Sequence, residues 1–137
     1  MSGIELSEAG WPLVVMHWPE RYADEDVQSA MADLVALTEQ ERPFAVLCDL
    51  TRAGVPSPRQ RLIITQAIRA NNVALGRFVK GIAMLITALP VRSAVNGMVA
   101  TGRSPFPFRA FSSREDAETW SWAVLEEARA AERRRLA

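Results

Sequence analysis

Cysteine and histidine are nearly absent from this chain, which holds one of each, Cys48 and His17, in 137 residues. A single cysteine excludes an intrachain disulfide framework, and one Cys with one His leaves the usual zinc-ligand patterns without ligands. Also missing is any apolar run approaching the roughly 20 residues of a membrane-spanning helix. Glu5 and Glu8 stand where a secretory leader would be basic and then apolar. No glycine-rich loop has the spacing of a phosphate-binding fingerprint. These absences predict a cytoplasmic protein with no membrane contact, no metal and no cofactor. What remains is an ordinary globular composition, 49% hydrophobic and 23% charged, long enough to bury a core without cross-links. The expectation is one domain over residues 1–137, with 130–137 a fraying helix end.

Carboxylates are missing from a long internal stretch. The formal net charge is zero, yet residues 1–49 hold ten acids and only two arginines, whereas residues 50–114 hold ten cations and no acid. Residues 115–137 return to a slight negative balance. Such segregation predicts a positive surface in the middle third, turned either toward an anionic partner or toward the protein's own acidic first helix. Nine of the ten middle cations are Arg, which suits bidentate contact with carboxylate or phosphate. The zero net charge and the lack of aromatics interleaved with the cations mean that duplex nucleic acid is not expected as a partner.

Hydrophobic periodicity orders the chain. Ile4–Ser7 alternates and Leu13–Trp18 is apolar and β-rich, separated by the turn Ala9-Gly10-Trp11-Pro12, which predicts an antiparallel pair. Val27, Ala30, Met31, Leu34, Val35 and Leu37 repeat at helical spacing behind Asp24, Glu25 and Asp26, whose charges suit a helix N-terminus, so a helix is expected over 24–40. Phe44–Leu50 is nearly continuously apolar and too short for a helix, as a strand covered on both faces is. Ser57-Pro58-Arg59-Gln60 is a helix start, with Ser as cap, Pro at N1 and Gln completing a capping box. That helix is expected to run to Leu75 and stop at Gly76, with Ile63, Ile64, Ala67 and Ile68 facing the sheet. A buried strand over 78–88 follows. Next come a helix opening at Pro90 with Val91 and Val95 on its apolar stripe and Gly102 at its end, and an edge strand over 106–111. A last helix is predicted behind Ser112 and Glu115, with Ala117, Trp120, Val124, Leu125 and Ala128 inward. The order ββαβαβαβα predicts an α/β domain with a mixed, mostly parallel sheet and helices packed against it.

A strand ending Val46-Leu47-Cys48-Asp49-Leu50, a helix opening at Ser57 with Arg61 and Ile64, Lys80-Gly81-Ile82-Ala83, and the ending Phe111 to Trp120 together carry a resemblance over nearly the whole chain. The sequence resembles the STAS-like, SpoIIAA-like relatives of anti-sigma-factor antagonists. The resemblance implies a small α/β domain, usually a non-catalytic protein-interaction or ligand-sensing module. Antagonists of that family carry an Asp-Ser pair followed by Gly at the corresponding helix start, and the Ser is a phosphorylation switch. Here Pro56-Ser57-Pro58 stands in that place.

Two groups of candidate site residues follow. α/β folds bind ligands outside the carboxyl ends of parallel strands, where Asp49, Arg52, Ser57 and Arg92 are expected, with Thr51 and Thr87 nearby. Arg52 and Arg92 would hold a phosphate or carboxylate there; the alternative is that Asp49 pairs with one Arg and the rest is solvated. The second group is an interface. Trp122 projects roughly 140° from the apolar stripe of the last helix, and Leu62 and Val73 fall outside the second helix beside Arg69. These suggest a protein partner and a homodimer, or cover by a loop. Asn71 is a polar residue on an otherwise apolar arc and is expected to bond a neighbouring backbone group. For catalysis, His17, Ser57 and Asp49 form no convincing set, because Ser57 is explained as a cap and lacks a glycine-flanked elbow; no enzyme is expected. Cys48, in a buried strand, is expected to be an inert thiol.

Overall fold

A computed structural model describes residues 3–99 and 104–137. Its sheet has five strands in the order β1-β2-β3-β4-β5. These are β1 (Glu5–Ser7), β2 (Leu13–His17), β3 (Phe44–Asp49), β4 (Val79–Leu85) and β5 (Phe108–Phe111). The β1–β2 pair is antiparallel and each later pair is parallel. The helices are α1 (Asp24–Leu37), α2 (Pro58–Ala70), α3 (Asn72–Phe78), α4 (Leu89–Val99) and α5 (Arg114–Leu136), and a 3-10 turn over Thr38–Gln40 extends α1. The expected α/β architecture and mixed sheet are what the chain forms.

Alternation sends the two faces of the sheet to different helices. Val14, Met16, Phe44, Val46 and Cys48 point to one side, where Val27, Ala30, Met31 and Leu34 of α1 complete the larger core. Leu13, Ala45, Leu47, Ala83 and Leu85 point to the other, against Ala117 and Leu125 of α5. All six residues of β3 are buried, the apolar Phe44 to Cys48 and also Asp49 at its end. Gly81 lets α5 close in: a Cβ there would lie 3.0 Å from both the Trp120 ring and Val124 Cγ2.

Several sequence expectations shift. The helix expected to run unbroken to Leu75 is interrupted at Asn71, whose side-chain Nδ2 donates to Ala67 O at 2.8 Å and competes with the helical ladder. That is the backbone bond expected of Asn71. Gly76 accordingly lies inside α3 rather than at its end, where its lack of a side chain clears Pro105. Ile63, Ile64, Ala67 and Ile68 of α2 are half-buried rather than buried, because α2 leans on α1 and makes little contact with the strands. β4 spans 79–85 and β5 spans 108–111, both shorter than expected. The cap of α5 is Ser113, accepting from the Asp116 N–H, one residue beyond the expected Ser112. Gly102, the expected stop of α4, and Arg103 lie outside the described residues. At the other end, α5 stays helical as far as Leu136.

Candidate functional site: the carboxyl edge of the sheet

Register brings a polar row to the end of the sheet. Glu5 is opposite His17, His17 beside Asp49, and Asp49 beside Leu85. His17, expected inside an apolar strand, is instead the last residue of β2, and its side chain is 53% exposed. Asp49, the last residue of β3, is buried. Its Oδ1 accepts from Thr51 N (3.1 Å) and Thr51 Oγ1 (2.7 Å). Its Oδ2 lies 3.5 Å from His17 Nδ1 and 3.5 Å from Arg114 Nη1. Burial pushes the Asp49 carboxyl up, but the two Thr51 bonds and the charges of His17 and Arg114 outweigh it and hold its pKa below the usual aspartate value. Asp49 is thus an ionised tie between β2, β3 and the first turn of α5.

The structure distributes the four edge candidates differently from a single binding cluster. Asp49 is engaged as described, and its arginine is Arg114, not Arg52 or Arg92. The Arg92 Nη1 donates to the carbonyls of Ile86 (3.1 Å) and Thr87 (3.3 Å) beyond the end of β4. Arg52 is exposed in the turn after Leu50. Ser57 belongs to the start of α2: its Oγ accepts from Gln60 N at 3.1 Å while Gln60 Oε1 accepts from Ser57 N at 3.0 Å, the capping box expected there. Gln60 is itself buried and donates to Tyr22 O, and the Tyr22 hydroxyl donates to Gly54 O, so the loop before α2 is pinned to the loop between β2 and α1. Sequence reasoning missed His17, Thr51 and Arg114 as partners of Asp49. The signal for His17 was the placement of two strand-terminal polar residues in neighbouring strands; Arg114 carried none.

The remaining groups offer little reactivity. The Cys48 thiol is pushed up to about 12 by burial, partly opposed by the Trp18 indole N–H nearby, and so stays protonated. That indole nitrogen is buried without a hydrogen bond of ordinary geometry. Among the described residues no group of His, Cys, Asp and Glu is placed to hold a metal ion. No described helix is long and apolar enough to cross a membrane.

The interface candidates lie elsewhere. Leu62 on α2 is 54% exposed, Val73 on α3 83% and Trp122 on α5 45%. Arg69 is exposed in the last turn of α2, and the break at Asn71 puts Val73 on a different helix from Leu62 and Arg69.

No model of a known protein family matches the sequence, and no curated protein matches it closely. Among solved structures, the chain is similar to an uncharacterised protein of the DUF3478 family with a SpoIIAA-like fold from Shewanella loihica PV-4. The TM-score is 0.63 at 20% sequence identity, covering 87% of this chain and 92% of that one. The chain is therefore an α/β domain of SpoIIAA-like, STAS-like fold, and at that identity the likeness concerns the fold alone.

Proposed function

We propose that this protein is a non-catalytic regulatory or scaffolding module that acts through protein–protein contact and self-associates as a homodimer. The observation that carries this reading is the division between its polar and apolar surfaces. The one polar cluster at the sheet edge is consumed by structural ties, with both Asp49 oxygens engaged. Large apolar side chains, Leu62, Val73 and Trp122, stand out from the helices instead. An exposed Trp is the kind of anchor that interfaces favour, since it buries much area at low entropic cost. Light scattering from low to high micromolar concentration tests it. A dimer that Trp122→Glu weakens is the expected result, and a monomer at every concentration overturns the self-association.

A second reading is capture of a small phosphate or carboxylate through Arg52 and Arg92. It is favoured by one observation: among the described residues Arg92 bonds carbonyl oxygens and no carboxylate, so its charge is not neutralised there. Titrating inorganic phosphate against the protein and against the double variant Arg52→Ala with Arg92→Ala tests that reading. Saturable shifts lost in the variant support it, and identical weak responses in both refute it.

A further inference from the structure

Two features of opposite charge lie on opposite faces of the molecule. The first is an open cleft of about 670 Å³ between β1 and α1, with Leu6 and Ala36 among its apolar lining and Glu5, Glu8 and Asp33 around it. It belongs to the segment of ten acids and two arginines. Among the described residues none of these three carboxylates makes an ion pair; Glu8 accepts one bond, from Gln40 Nε2 at 3.2 Å.

The second feature is the far end of α5. No side chain after Leu125 is buried, and every residue from Ala131 onward is exposed. The helix nevertheless continues to Leu136, about 16 Å past Leu125 at the usual rise per residue. In proteins most helical stability comes from packing of an apolar face, and these residues have little of it. This stretch carries Arg133-Arg134-Arg135 and then Leu136, which is 75% exposed. Its ion pairs among the described residues are all with its own glutamates, Arg129 to Glu126 (3.8 Å), Arg133 to Glu126 (3.4 Å) and Arg135 to Glu132 (2.6 Å). Such exposed pairs are worth little and exchange partners readily.

The basic arm and the acidic cleft complement each other in charge, and each also offers apolar side chains. They cannot meet within one molecule, since α1 covers one face of the sheet and α5 the other, and a straight helix does not turn back. A two-fold axis allows what one chain cannot do: each arm enters the cleft of the other copy, and the contact closes. We propose that two copies of this chain pair by arm exchange, with Leu136 on Leu6 and Ala36 and the three arginines against Glu5, Glu8 and Asp33. This rests on the self-association proposed above and adds a second pair of surfaces to it.

Charge reversal in the full chain tests the idea. The triple changes Arg133→Glu, Arg134→Glu, Arg135→Glu and, separately, Glu5→Lys, Glu8→Lys, Asp33→Lys should each weaken the homodimer by about tenfold or more, because arm and cleft then carry the same sign. Mixing the two variants should restore a dimer of wild-type strength, since both exchanged contacts become attractive again. Circular dichroism confirms that each variant is folded, and a merely unstable variant gives no rescue on mixing. A variant that dimerises as tightly as the wild type, or a mixture that stays monomeric, overturns arm exchange. A wild-type dimer that survives both reversals but is lost with Trp122→Glu keeps the broader reading. A wild type monomeric into the high micromolar range overturns both.

Discussion

Asn96 on α4 holds Ala110 of β5 by both of its main-chain polar groups: Oδ1 accepts from Ala110 N at 2.9 Å and Nδ2 donates to Ala110 O at 3.2 Å. A side-chain amide here does what a neighbouring strand would do. Since β5 is an edge of the sheet, its outward main-chain groups are otherwise a template for another chain.

Asn96→Ala should therefore have two effects. Leaving a part-buried N–H and C=O unpaired should cost about 1–3 kcal/mol of stability. It should also bare the β5 edge, and thioflavin binding or turbidity on mild heating should rise above the wild type. Equal stability and equal aggregation would show that the amide bridge is incidental.

The capping box at Ser57 makes a cleaner test of a local feature. Ser57→Ala should destabilise by about 1 kcal/mol in urea unfolding, and Ser57→Asp should be nearly neutral because Asp caps as well. If Ser57→Asp abolished self-association while Ser57→Ala left it intact, the residue would act as a charge switch and the structural reading would fail.

Close approach of α5 to the sheet is set at Gly81. Gly81→Ala puts a methyl 3.0 Å from the Trp120 ring and from Val124 Cγ2, two side chains fixed by packing on β4 and β5. Overpacking of this kind should cost about 1–3 kcal/mol, read as a lower thermal midpoint, and Trp120→Leu in the same chain should recover part of it. A Gly81→Ala variant as stable as the wild type would mean that α5 shifts without cost.

How far the sequence led can be argued from these same residues. Phe44–Asp49 was legible as a doubly covered strand because no polar residue comes before its last, Asp49, and Ser57-Pro58 with Gln60 was legible because capping is a matter of four adjacent residues. At Ser112 and Ser113 the pattern is degenerate, since each has an acid three residues on, and the packing of α5 selects the second. The break at Asn71 depends on one side-chain rotamer that reaches Ala67 O, which periodicity does not register. Least legible were the partners of Asp49. His17 joins it only through the β2–β3 register, and Arg114 comes from the start of α5, distant in sequence, through the packing of that helix.

Asp49 should make stability depend on acid pH in a predictable direction. Its pKa in the folded protein is held below that of the unfolded chain: burial opposes this, but the Thr51 bonds, His17 and Arg114 prevail. A carboxylate with a depressed folded pKa binds fewer protons when folded, so its stabilising contribution is fully present above the unfolded aspartate value, about 3.9. The contribution falls away as pH drops through the folded pKa. Asp49→Asn removes the charge while keeping an oxygen for Thr51, so urea unfolding at neutral pH should show a loss of roughly 1–3 kcal/mol, the range for weakened bonds to a buried charged group. Between neutrality and about pH 5 that gap should stay constant, and below about pH 4 it should close as the wild type loses its carboxylate. A gap that widens with acid would show that Asp49 is stabilised in its protonated form, and the edge tie would have to be redrawn around a neutral carboxyl.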